Sequence, residues 1–496
     1  MTKDTILEFS GAINNANLRD IVAAMKYNDS VKVALDLSHT TGITTLSAAD
    51  DLFKDCTTLL GISLPSTVTT IEAHAFEGCT ALAEVKLPDS LQEIPDHAFH
   101  KCTALKTINF PSKLHSIGSY AFYKCYGLES ISLPTSLTFI GDHAFHNNSH
   151  LKSLDLSELT NLYSIADQAF NYCYDLENVL LPSSLTSIGN YAFEKSGLRS
   201  IDLSETNVCS LGNYAFSNCS TLETVTLPSS VDSIGKYAFA DCGKLISVVR
   251  KKRDTDEIKN LSIGVQAFAN DSILTDFDLD GVTSIGTWAF RGCSALVQGL
   301  GTVLTIPDSV QSVAAAAFEN IGFTEITVGS RTYLMANALQ GCSSLEKLTF
   351  NNTMQVDSHA LDSLGAKDEL TIVYNYTSTV YTPYFAAARN VIFGDDVTEI
   401  PSYFAEISHF STENQYLSYD EGSDEGYIKD TGGGSTSEKE NYYLYSVTFG
   451  EKVEAIGQNH SPNVAMAWLR AQDSLYANET GKVSASYVMP ASEVGY

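Results

Sequence analysis

Apolar residues along this chain come in short bursts of two or three, broken by proline, glycine and polar residues, rather than in long helical stripes. The stretch from Cys219 to Phe239 carries the pattern cleanly. Leu222 to Leu227 alternates toward its end, which predicts a short strand with Val225 and Leu227 on one face. Pro228 closes that strand, because proline has no N–H to give a ladder. Val231 to Ile234 predicts a second extended stretch. Gly235 then predicts a turn into a short helical segment carrying Tyr237, Ala238 and Phe239.

This unit recurs. Phenylalanine stands at 53, 76, 99, 122, 145, 170, 193, 216, 239, 268, 290 and 318, with Leu339 in a thirteenth copy, and seven of the twelve intervals are 23 residues. A unit so small cannot bury its own apolar face, so the copies must stack, each burying its core against its neighbours. The expected fold is therefore an α/β solenoid of about 23 residues per turn, with parallel β-sheet on one face and rungs about 4.8 Å apart.

Stacking turns any fixed position of the unit into a column. Three residues after each Phe stand Cys56, Cys79, Cys102, Cys125, Cys173, Cys219, Cys242, Cys293 and Cys342, while Asn148, Ser196, Asp271 and Ile321 fill the same position elsewhere. A position that accepts Cys, Asn and Ser is a small-residue column of buried thiols rather than half of a disulfide framework. No Cys-x-x-Cys pair suggests a metal.

The segment Leu-Pro-x-Ser-Leu/Val-x-x-Ile-Gly-x-x-Ala-Phe, seen at Leu133 to Phe145, Leu181 to Phe193 and Leu227 to Phe239, resembles the BspA-like, or Treponema-type, leucine-rich repeats. The resemblance covers roughly residues 45–350. It implies leucine-rich repeats stacked into a right-handed superhelix, and a surface adhesin or host-interaction protein.

Solenoids need caps at their ends. Residues 1–45 read as the N-terminal cap, where Leu18, Ile21, Val22 and Met25 form one helical stripe and Val31 to Leu37 alternates like a first strand. Regular repeats occupy 46–350. Residues 351–496 hold degenerate repeats around Val391 to Phe404 and Val447 to Gly457, with an acidic loop over 411–441 and a closing helix at 463–475.

Charge narrows the partners. Thirty basic against 59 acidic residues leave a net charge of −29. That argues against nucleic acid, whose phosphates are bound by Lys and Arg, and against docking on anionic membranes. No run of 18 apolar residues predicts a membrane span. Met1 to Thr5 carries no signal-peptide pattern, so the protein stays inside the cell or the sequence begins after a removed signal. The resemblance points to the cell surface or secretion.

No nucleophile elbow, zinc-binding His pair or phosphate-cradling loop is present, and no cofactor or metal is expected. The acidic run Asp420 to Glu425 lacks the spacing of a calcium-binding loop. Two columns are candidates for partner binding. Two residues before each Phe stand His74, His97, Tyr120, His143, Gln168, Tyr191, Tyr214, Tyr237 and Trp288. They read either as a self-stacking ladder or as an aromatic stripe for a protein or glycan, with His97, Tyr120, His143, Tyr191, Tyr214 and Tyr237 its core. A two-histidine metal site at His74 and His97 is an alternative. The outward strand face carries Glu84, Lys86, Thr107, Asn109, Ser130, Ser132, Ser153, Asp155, Asn178, Leu180, Ser200, Asp202, Thr224 and Thr226, and reads either as a binding surface or as an inert sheet. Three functions remain: a non-enzymatic adhesin, a spacer without a specific ligand, and an enzyme whose activity sits in 355–496, which holds His359, His409 and His460.

Overall fold

Each repeat contributes two short parallel strands joined by turns, and the strands of successive repeats pair in register. In the computed structural model, residues 5–28, 30–47, 52–251 and 260–351 are described, with separate short segments beyond them to 456. The chain divides into two compact units, Met1–Asp278 and Leu279–Tyr496.

In the first unit one strand column runs through Leu59–Ser63, Glu84–Lys86, Thr107–Ile108, Ser153–Asp155, Asn178–Leu180, Ser200–Asp202, Thr224–Pro228, Ser247–Lys251 and Asp276–Phe277. Its register is strict; Ser200, Ile201 and Asp202 lie opposite Thr224, Val225 and Thr226. The second column is two residues wide and ends on Ile or Leu, with Ile165, Ile188, Leu211, Ile234 and Ile263 in line. In the second unit Val303–Ile306, Glu325–Val328, Lys347–Phe350, Thr371–Tyr374, Asn390–Phe393 and Ser446–Thr448 form a parallel sheet in that order. The strands expected near Val391 and Val447 therefore pair directly. Within 411–441, Gln415–Ser418 and Tyr427–Asp430 pair as antiparallel strands. The acidic run at 420–425 and the helix expected at 463–475 lie outside the described residues.

The chain begins with β1 (Thr5–Ala12), α1 (Asn15–Tyr27) and β2 (Val33–Thr41). A capping box between Asn14 and Asn17 starts α1, and Leu18, Val22 and Met25 are its buried stripe. β1, which the apolar pattern did not announce, pairs in parallel with β2.

The helix expected after Gly235 does not form. Among the described residues only α1 and α2 (Leu296–Leu300) are α-helical, and the Ala-Phe segment is a pair of linked turns. The reason lies in the backbone. The residues two before and two after each Phe have left-handed φ, as at Tyr214 (57°) and Asn218 (59°) around Phe216. Such residues cannot continue a right-handed helix. Gly235 also has a different task from the one expected, because a Cβ there would lie 2.5 Å from the Gly212 carbonyl, so glycine lets the two backbones touch.

The left-handed residues make the turn a ladder of its own. Around Phe76 the amides of His74, Phe76 and Gly78 donate to the carbonyls of Asp96, Ala98 and His100 on the next rung, while those of Ala75, Glu77 and Cys79 donate back within their own rung. The cross-rung bonds repeat around Phe99, Phe122, Phe145, Phe170, Phe193, Phe216 and Phe239. Alternate turn amides are thus satisfied by the neighbouring rung.

Inside, the Phe rings stack at 5.1–5.6 Å from Phe53 to Phe268 and are fully buried. The ten cysteines are thiols rather than disulfides, and the nine in the column are buried. Their position does more than fill space. The thiols of Cys79, Cys102, Cys125, Cys219 and Cys242 each donate to the Phe carbonyl one rung back, at 2.9–3.1 Å. Asn148 does the same with its amide, 2.9 Å from the Phe122 carbonyl. At these rungs the column supplies a donor to the neighbouring backbone. Burial pushes the Cys173 thiol up to about 12.

Asp271 breaks that rule. It is fully buried, accepts the Cys242 amide at 2.8 Å with Oδ1, and leaves Oδ2 without a partner. Burial pushes its carboxyl well above the usual carboxylate range. A carboxyl raised on folding contributes stability that is complete below the unfolded value and lost as pH rises through the folded one. Asp271→Asn is therefore expected to raise Tm by several degrees at pH 7.5, and to lose that advantage near pH 3.5, in thermal melts at both values. Phe216→Ala, which opens a cavity between two stacked rings, should cost about 3–5 kcal/mol in denaturant unfolding.

Candidate functional site

Because the residue before Ala-Phe is always left-handed, with φ of 56–65° from His74 to Tyr237, its side chain leaves every rung at the same angle. The rings therefore stack face to face: His74 on His97 at 4.6 Å, His97 on Tyr120 at 4.9 Å and Tyr120 on His143 at 4.3 Å. Gln168 interrupts the column. It resumes with Tyr191 on Tyr214 at 4.7 Å and Tyr214 on Tyr237 at 4.6 Å. His97, Tyr120, His143, Tyr191, Tyr214 and Tyr237 are each half-buried. Trp288 holds the same position in the second unit, 38% exposed.

A second column, unannounced by the sequence pattern, runs beside the first. It is formed by the residue after each Phe: His100 lies 4.9 Å from Tyr123, and Tyr123 4.8 Å from His146. Cross-contacts tie the columns together, His97 to His100 at 5.2 Å and His143 to His146 at 5.4 Å. Lys195 sits over Tyr172, 4.5 Å from the ring centre, and donates to its hydroxyl at 2.9 Å. Glu77 closes the N-terminal end. Its carboxylate meets Nδ1 of His74 at 2.7 Å and of His100 at 3.1 Å, with Lys54 at 3.4 Å. Burial opposes ionisation of Glu77, but these hydrogen bonds and the Lys54 charge prevail and hold it at about 2.

The proposed metal pair is not supported by this geometry. The His74 and His97 rings lie parallel, 15° apart, so their nitrogens run side by side, and His74 Nδ1 is committed to Glu77. No group of three His, Cys, Asp or Glu among the described residues could hold a metal ion. His359, His409 and His460 lie outside the described residues.

The strand column is exposed as expected at Thr107, Ser130, Ser132 and Thr224, with Thr226 half-buried. Several of its polar groups are already used. Asn109 clamps the Leu87 backbone of the preceding rung, accepting its N–H at 2.7 Å and donating to its carbonyl at 2.9 Å. Asp155 and Asp202 accept the amides of Ser157 and Ser204.

A known family matches this arrangement. The BspA type leucine rich repeat region matches at residues 47–164, 148–261 and 261–390, with six copies. Among solved structures, a leucine-rich repeat protein from Bacteroides ovatus is 26% identical, with a TM-score of 0.51, covering 68% of this chain and 88% of that one. A leucine rich repeat protein from T. pallidum is 32% identical over 38% of this chain and 78% of its own, with a TM-score of 0.31. A leucine rich cell surface protein from Faecalibacterium prausnitzii is 24% identical over 63% of this chain and 83% of its own, with a TM-score of 0.34. No curated protein matches the chain.

Ring stacking and left-handed backbone make opposite demands at Tyr214, and substitution separates them. Tyr214→Phe keeps both stacks and should change stability by less than about 0.5 kcal/mol. Tyr214→Val loses two stacks, each worth about 0.5–1.5 kcal/mol, and forces a β-branched residue to positive φ. It should therefore cost at least about 2 kcal/mol in denaturant unfolding.

Proposed function

The chain belongs to the BspA-type leucine-rich repeat family, and from that membership we propose that it is a non-enzymatic binding protein of the cell surface or secreted space. In this reading it recognises a protein or glycan through the turn face. The observation that carries the reading is the unbroken spacing of ring edges, one every 4.3–4.9 Å from His74 to His143 and again from Tyr191 to Tyr237. Stacked neighbours cover the ring faces, so a partner meets the rings edge-on, at phenol hydroxyls and at the imidazole nitrogens that are neither buried nor bonded to Glu77. Such a row suits backbone amides or sugar hydroxyls along an extended partner. The net charge of −29 disfavours polyanions.

The strand column offers hydroxyls at Thr107, Ser130, Ser132, Thr224 and Thr226, but Asn109 and its two aspartates are spent on the fold. The turn face is therefore the favoured surface. Tyr191→Asn, Tyr214→Asn and Tyr237→Asn combined keep residues tolerant of positive φ while removing three ring edges. Against immobilised extracellular-matrix proteins and glycans at physiological salt, the wild type should bind saturably. The triple variant should bind at least about tenfold more weakly, or about 1.4 kcal/mol. Undiminished binding by a folded triple variant would move the site to the strand column, and no binding to any panel member would favour a spacer.

A further inference from the structure

The ring columns change character along the chain. From His74 to His146 they hold five of the chain's eleven histidines, whereas from Tyr191 to Tyr237 the first column is phenol only. The histidines touch one another: His74 and His97 at 4.6 Å, His97 and His100 at 5.2 Å, His143 and His146 at 5.4 Å. Their surroundings are unequal. Glu77 can accept a proton-bearing Nδ1 from His74 and from His100. Nδ1 of His97, His143 and His146 is buried with no hydrogen-bond partner.

The other charged groups around the segment do not make up this deficit. Lys54, Lys101 and Lys124 add positive charge at its margin. Asp96 accepts the Ser119 amide with Oδ1 at 2.6 Å, and Asp167 accepts from the Asn190 backbone and side-chain amides at 2.7 and 3.0 Å. Asp142, Gln168 and Asp167 favour a proton on His143, and Glu77 and Asp96 favour one on His97, but burial outweighs them at both. Tyr120, Tyr123 and Tyr172 line the stretch with phenol rings. An imidazolium against a phenol face is attractive, but His146 also has His143 and Lys124 beside it.

We propose that this histidine stretch is an acid-sensitive segment of the turn face: protonation of His97, His143 or His146 breaks the local ring stacks and loosens the cross-rung hydrogen bonds of residues 97–147, while the tyrosine stretch holds. Burial pushes His97, His100 and His143 below the ordinary histidine value, and His146 down to about 4. Histidines in an opened segment titrate at about 6.5. For bases depressed in this way, closure is fully favoured above about pH 6.5 and loses ground as pH falls toward the folded values. Release of a partner bound over this stretch in acid rests on the binding reading above. The opening itself does not, and it is tested on the free protein.

Amide hydrogen exchange of the full chain, corrected for intrinsic rates, would be compared at pH 7.5 and about 5.2. The expected result is an about tenfold or greater loss of protection at 97–101, 120–124 and 143–147, with residues 191–195, 214–218 and 237–241 changed less than about twofold. Combined His97→Gln, His143→Gln and His146→Gln should abolish that difference between the stretches. Equal loss in both, no loss in either, or the same loss in a folded triple variant would each overturn the proposal. Should the triple variant fail to fold, the wild-type comparison of the two stretches still decides.

Discussion

A β-solenoid must satisfy its backbone amides where the chain turns as well as where it runs straight, and here the turn is bonded to the next rung as regularly as the strands are. That bonding needs alternate amides to face along the stacking direction, which the chain achieves with two left-handed residues flanking each Phe. Each non-glycine residue so placed costs on the order of 1 kcal/mol. Asn218, Asn270 and Asn320 hold such positions with a residue type that bears the strain well, and Gly78, Gly292 and Gly341 avoid it. Tyrosine and lysine do neither. They are held there because the rungs on both sides fix the backbone, so a turn that is strained alone is stable in the stack.

The chemistry of the surface descends from the same constraint. Identical φ on every rung aims the side chains identically, and identical aim at a rung spacing near 4.7 Å brings rings into contact. Stacking then occupies the ring faces and leaves the edges. A column of edges differs as a binding surface from isolated exposed rings, since it offers hydrogen-bonding groups at regular intervals and little apolar area. The interruption at Gln168 divides it into a titratable part and a phenolic part, which gives two neighbouring stretches of one geometry different responses to their surroundings.

Much of this was legible in the sequence because stacking converts periodicity into contact. The Phe and Cys columns, the paired strands and the first ring column all followed from position within a 23-residue beat. The column of His100, Tyr123 and His146 escaped notice because Glu77, Asn171 and Glu194 fill the same position on other rungs and dilute its character. The helix expected at Tyr237 to Phe239 was wrong for a deeper reason. Left-handed φ at tyrosine or lysine is imposed by neighbouring rungs, and no local residue preference announces it. β1 was missed because it precedes the repeats, and its pairing depends on β2 rather than on the beat.

The buried thiol column has a consequence for how long a molecule persists once folded. Thiolate is the form that oxidants attack, and burial denies it to Cys102, Cys125 and Cys173 in the stacked state. Separation of the rungs would expose nine buried thiols on one chain, spaced so that many wrong pairings are as accessible as any other. In air, opening would then be followed by cross-linking rather than by restacking. The lifetime of the protein in such surroundings is set by the rate at which rungs part, not by the equilibrium between open and closed forms.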